Sequence, residues 1–255
     1  MKNRYIWMIF LLMSLTLALY AQNGDNSAEQ QFVQAVNAYS ANDWATSYSR
    51  FYDILVTHPE YDNFEVNFNL GSCCFKLGRI GEARYYFERA LMFKPFDADL
   101  YHNLEVVYQR IYDSPDIGLQ NVHSKRVLFL IGRQVLIPLL LVLIILTVAM
   151  FILFYVTHGI RGFGIMALLF FLLSVTGFIW FGLQRADYNR NVYVVKVQQT
   201  DVYLSPTDPG SVLMTLSEGA KGTVIENTGT FIKIRIPDGT SGYIKRSSVI
   251  SSDEF

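Results

Sequence analysis

Two apolar runs, Val135–Val156 and Gly162–Leu183, contain no charged residue and are separated only by Thr157–Arg161. At 1.5 Å per residue each predicts a helix about 33 Å long, enough to cross a hydrocarbon core of about 30 Å. A helix of a soluble core would show a polar stripe, and neither run has one. Ser174 and Thr176 are polar residues of the kind that bond within or between neighbouring helices. The absence of charge within the runs argues against an ion or proton pathway. The pattern predicts spans at 135–156 and 162–183, joined by a cytoplasmic loop at 157–161. So short a link cannot re-cross a bilayer, so both flanks of the hairpin face one compartment.

The chain opens on Lys2 and Arg4, an apolar stretch Ile6–Tyr20, and then Ala21-Gln22. That order predicts a signal peptide over 1–21 and export of the region between it and the first span. Lys125, Arg126, Arg133, Arg185, Arg190 and Lys196 flank the spans, against Arg161 alone at the tip. The positive-inside rule taken by itself would keep both flanks in the cytoplasm. The leading hydrophobic segment usually dominates, however, and large domains translocate largely regardless of charge. The expectation is a bacterial inner-membrane protein with N- and C-terminal domains in the periplasm.

Residues 22–118 change to helical periodicity. Over 64–97, Leu70-Gly71, the turn glycine Gly78, the small–large–small series Ala83, Phe87 and Ala90, and the closing Pro95 match the tetratricopeptide repeat pattern. Gly71 should allow close helix approach, with Phe87 filling the space left by Ala83 and Ala90. A degenerate copy precedes it: Asn42-Asp43 at the turn, Ser47, Phe51 and Ile54 in the core, and Pro59 at the close. After Pro95, Tyr101, Leu104 and Tyr108 predict a covering helix that ends near Asp113-Ser114-Pro115. The concave face of such an array takes peptides. It should be lined by Glu65, Phe68, Asn69, Ser72, Phe75 and Lys76, and by Asp99, His102 and Asn103. Asp99 stands where a carboxylate clamp would need a base, and Phe68 and Phe75 read either as exposed aromatic anchors or, equally, as residues packed against the covering helix or membrane.

A basic juxtamembrane segment, 119–134, leads into the first span, and a linker, 184–191, leaves the second. From 192 to 255 the pattern alternates. Val192–Val195, Val202–Leu204, Gly222–Ile225, Phe231–Ile236 and Gly242–Ile244 are strand-like, with turns at Ser205–Gly210 and Pro237–Gly239 and with Val212–Leu216 leading to Glu218-Gly219. A segment this short, in about five short strands, buries a core as a small barrel. The order Leu-x-x-Gly, Gly-x-Val, alternating aromatic strand, Asp-Gly, Gly-Tyr-Ile resembles the bacterial SH3-like domain, which implies binding of peptides or cell wall.

Charge and chemistry narrow the function. Residues 22–117 hold 14 acidic and 7 basic residues, a balance that repels phosphates and disfavours nucleic acid. The bases beside the spans suit lipid headgroups. Cys73 and Cys74 are adjacent and read as packing residues rather than a bridge. His58, His102, His123 and His158 form no motif with a nucleophile or metal partner. No enzyme, cofactor or metal is expected.

Signal peptide, short repeat array, hairpin and C-terminal barrel together resemble the BatE-type proteins of the Bacteroides aerotolerance (Bat) family. The strongest local echoes are Asn42-Asp43-Trp44, Leu70-Gly71 through Pro95, and Asn103-Leu104-Glu105. The resemblance implies partners among von Willebrand factor A-domain membrane proteins and a MoxR-type ATPase, in envelope stress tolerance. The expected fold is a multi-domain membrane protein: α-helical tetratricopeptide array, transmembrane hairpin and small all-β SH3-like barrel. The expected function is a non-enzymatic scaffold, with a peptidoglycan-binding sensor or anchor as the competing reading.

Overall fold

The structure, a computed structural model, describes residues 26–112, 129–131, 133–157, 160–188 and 191–252. The expected signal peptide (1–21), the Asp113–Pro115 helix stop and most of the basic segment 119–134 lie outside these residues. The helical part comprises α1 (Asn26–Ser40), α2 (Trp44–Thr57), α3 (Phe64–Lys76), α4 (Ile80–Ala90) and α5 (Ala98–Tyr112), with a single 3-10 turn at Pro59–Tyr61. Helix starts are set by local chemistry. Asp43 accepts a hydrogen bond from the Thr46 amide (3.1 Å), Asn63 from Val66 (3.0 Å) and Asp97 from Leu100 (2.9 Å), each satisfying an amide with no partner inside its helix. The turns between paired helices fall on Asn42 (φ 61°) and Gly78 (φ 75°), residue types that tolerate left-handed backbone.

The repeat core follows from that geometry. A Cβ on Gly71 would lie 2.6 Å from the Phe87 ring, so α3 and α4 approach as closely as the Gly–Phe pairing allows. Leu70, Ala83, Phe87 and Ala90 are buried with Phe51, Ile54, Leu100 and Leu104 of the neighbouring helices. Gly71→Val is expected to destabilise the array by about 1–3 kcal/mol through overpacking, read as a lower midpoint in denaturant melts of the helical signal.

Helices α6 (Arg133–Val156) and α7 (Arg161–Tyr188) form an antiparallel pair, both long and apolar enough to cross a membrane. Gly177 faces Leu140, and Gly164 faces Phe154 at the tip end. Thr147 and Ser174 return their hydroxyls to carbonyls of their own helices. Outward-facing Phe151, Leu168 and Phe178 are uncovered by protein. α7 continues past Leu183 through residues expected as linker, since Gln184, Arg185 and Ala186 are good helix formers. Buried Gln184 donates from Nε2 to the Ile131 carbonyl at 2.9 Å, tying the end of the pair to its start.

The C-terminal part is antiparallel with seven strands rather than the expected five: β1 (Val192–Val195), β2 (Gln199–Ser205), β3 (Asp208–Ser217), β4 (Lys221–Asn227), β5 (Phe231–Arg235), β6 (Ser241–Lys245) and β7 (Val249–Ser251). The order is β3-β2-β6-β5-β4-β1-β7. The stretch Ser205–Gly210, expected as a long turn, turns only at Pro206-Thr207. Pairing of Ser205 with Asp208 carries the hairpin almost to its tip. Tyr193, Val195, Val202, Ile232, Ile234, Ile244 and Val249 form its core. The opposite side of the β1–β7 edge, Val194 and Ile250, is buried in the helical cluster, so the sheet packs against the array.

Candidate protein-interaction groove

Helices α1, α3 and α5 are the first helix of each repeat unit, and their equivalent positions form one face. The turn residues Asn42 and Gly78 set a spacing of 36 residues between α1 and α3. Glu65 and Asp99, each in the first turn of its helix, set 34 between α3 and α5. Glu29, Glu65 and Asp99 fall at one level of this face, all exposed, in the first turns of α1, α3 and α5. Lys76 and Arg110 are exposed in the last turns of α3 and α5. The face runs from an acidic edge to a basic edge, each complementing the helix dipoles beneath it.

Between those edges lie the expected contact residues. Glu65 pairs with Lys94 at 2.7 Å, an exposed pair contributing about 0–1 kcal/mol. Phe68 and Phe75 are half-buried rather than exposed. Phe68 stacks on Phe64 (centroids 5.4 Å) and meets Phe87 at 5.8 Å, while Phe75 lies 5.3 Å under the Arg110 guanidinium. The reason is the Gly71 approach, which brings the α4 aromatic up to the root of the face. Asn69 donates to the Glu65 carbonyl and Ser72 to the Phe68 carbonyl, so both point along their own helix. Lys76 reaches over Trp44 (5.7 Å). His102 is exposed and Asn103 half-buried on α5.

The α1 contribution lies outside the expected set. Val33 and Val36, equivalent to Asn69 and Ser72, are 53% and 38% exposed, and they supply the most accessible apolar surface of the face. The spacing from Asn42 to Gly78 carries that signal. α1 lacks the Leu-Gly pair that makes α3 conspicuous.

Beneath that face sits a buried polar cluster. The Cys73 thiol donates to Ser47 Oγ (3.3 Å), which donates to the Ala35 carbonyl (2.9 Å). Burial pushes the Cys73 thiol up, and burial followed by the Glu82 carboxylate pushes Cys74 well above the ordinary range. Both are held as thiols and pack the core. The neighbouring Tyr48 hydroxyl is pushed up to about 12, first by burial and then by Cys74 and Glu82. The folded chain therefore keeps protons that the unfolded chain releases near the ordinary values of 9.0 for a thiol and 10.0 for a phenol. This stabilisation is complete below pH 9 and is lost as pH rises through the folded values. The thermal midpoint of the helical signal is expected to fall steadily from about pH 9 to 12.

A tetratricopeptide repeat family model matches residues 64–97, the span of α3, the Gly78 turn, α4 and Pro95. No curated protein matches the chain. The chain thus carries a tetratricopeptide repeat within a helical array, which indicates a protein-interaction module rather than a catalytic one.

Proposed function

We propose that the chain is a non-enzymatic membrane scaffold whose α1–α3–α5 face captures protein partners beside the bilayer. The observation that carries this reading is the polarised face itself: a carboxylate row, an apolar strip around Val33, Val36 and Phe75, and a basic far edge. Such a surface complements a segment with apolar anchors whose basic residues lie toward Glu29, Glu65 and Asp99. The hairpin α6–α7 anchors the array in the bacterial inner membrane, with the array and the sheet on the periplasmic side. The resemblance to the Bat family supports von Willebrand factor A-domain proteins as partners, within an aerotolerance or envelope-stress complex. The antiparallel strand order, in which the long β2–β3 hairpin follows β1 in the chain but joins the sheet beside β6, supports the SH3-like reading of the sheet.

The test is co-purification from detergent extracts of cells co-expressing the full chain and the von Willebrand factor A-domain Bat proteins. Val33→Asp with Val36→Asp is expected to reduce recovered partner at least tenfold, because the change places charge on the apolar strip, with the circular dichroism of the array unchanged. Recovery equal to the parent, with folding intact, would overturn the assignment of this face.

A further inference from the structure

Helix α4 is buried on all sides, although only one of its faces is apolar. Ile80 through Glu88 are buried without exception, including Arg84 (3% exposed) and Glu88 (6%). The apolar face meets α3. The side carrying Gly81, Arg84 and Glu88 is covered by the β sheet, more than 100 residues further along the chain.

The fit is specific in shape and charge. Gly81 donates its amide to Glu218 Oε1 at 2.8 Å, so a carboxylate from the β3–β4 turn sits at the start of α4, where the helix dipole favours it. A Cβ on Gly81 would come within 2.1 Å of the Val195 carbonyl oxygen, and one on Gly219 within 2.6 Å of Ile111. Two glycines, one in each module, thus mark where the surfaces touch. Arg84 donates through Nη1 to the Gly219 carbonyl and the Tyr112 hydroxyl, both at 2.6 Å, and through Nε to Glu88 at 2.7 Å. Glu88 also accepts from the Tyr108 hydroxyl at 3.0 Å and from the Lys221 ammonium. Charges withdrawn from water need such partners. Here Glu88 of the array and Lys221 of the sheet supply each other's. Val194 and Ile250 complete the contact with apolar surface inside the helical core cluster.

We propose that α4, with the end of α5, is a built receptor for the chain's own C-terminal β domain, so that the segments flanking the hairpin form one rigid body. The polypeptide leaves this body after α5, makes the α6–α7 hairpin and returns at β1 to dock on the helix it left behind. The β domain braces the outer helix of the repeat and leaves the α1–α3–α5 face open. Its own β1–β7 edge and β3–β4 turn are committed to this contact and take no other ligand.

The proposal is tested by hydrogen exchange on the full chain in detergent micelles, with the helical content of each variant checked by circular dichroism. Gly81→Glu places bulk and charge against Val195 and Glu218 while keeping a good first-turn residue for α4. Lys221→Glu opposes Glu88 from the other side. Exchange at 192–195 and 218–222 is expected to rise at least tenfold in Gly81→Glu, and exchange at 80–90 at least tenfold in Lys221→Glu. Each change is thus read in the module that does not carry it. Faster exchange confined to the altered module, or no change in either variant, would overturn the docked arrangement.

Discussion

Glu88→Ala is expected to lose about 3–5 kcal/mol of stability, because it leaves two cations without their carboxylate. Arg84 and Lys221 both bind Glu88, and Tyr108 donates to the same group. Arg84 stays cationic throughout. Burial lowers its pKa, but Glu88, Tyr108 and Tyr112 outweigh that and hold it above the ordinary value. The alanine variant must therefore keep a charged guanidinium in a dry site or open the array–sheet contact to water. For a folded unit of this size the thermal midpoint should fall by roughly 10 °C. Glu88→Leu combined with Arg84→Met should be less damaging than Glu88→Ala, since it leaves one cation, Lys221, without its carboxylate instead of two. Thermal melts followed by circular dichroism decide between the two outcomes.

Phe87→Ala is the second large expected loss, about 3–5 kcal/mol, from lost burial and the cavity left behind. Phe87 is almost completely buried, and its ring defines the approach of α3 through Gly71 and meets Phe68 on the groove side. A methyl added at residue 71 would occupy part of the vacated ring space. Gly71→Ala should therefore harm the parent but relieve the Phe87→Ala protein, and a double-mutant cycle should show coupling above about 0.5 kcal/mol. Simple additivity would mean that the two residues do not share that space.

Those two sites differ in how far the sequence reveals them. Leu70-Gly71, Gly78, Ala83, Phe87, Ala90 and Pro95 each answer to a local steric demand of a helix pair, so their spacing announces the second repeat. The hairpin is equally plain, since its runs admit no polar face. The outer face of α4 is opaque for the opposite reason. Arg84 and Glu88 at four-residue spacing have the pattern of a solvated ion pair, and nothing nearby reveals that Gly219 and Lys221 will cover them. Two strands escape the sequence: β3, because Ser205–Gly210 has turn composition while its pairing with β2 runs almost to the tip, and β7, because three residues are too few to show alternation. The groove is half legible. Its α3 and α5 positions follow from the repeat, whereas Phe68 and Phe75 lose exposure to contacts with Phe87 and Arg110 that position along a helix does not convey.

The scaffold role requires the array and the β domain to share one side of the membrane. Single cysteines at Ser49 and Ser247, both exposed, in a Cys73→Ser, Cys74→Ser background, report each module separately to an impermeant thiol reagent applied to intact spheroplasts. Both sites are expected to label at matching rates before lysis. Labelling of one site with protection of the other would place the two modules on opposite sides and contradict the shared-side arrangement.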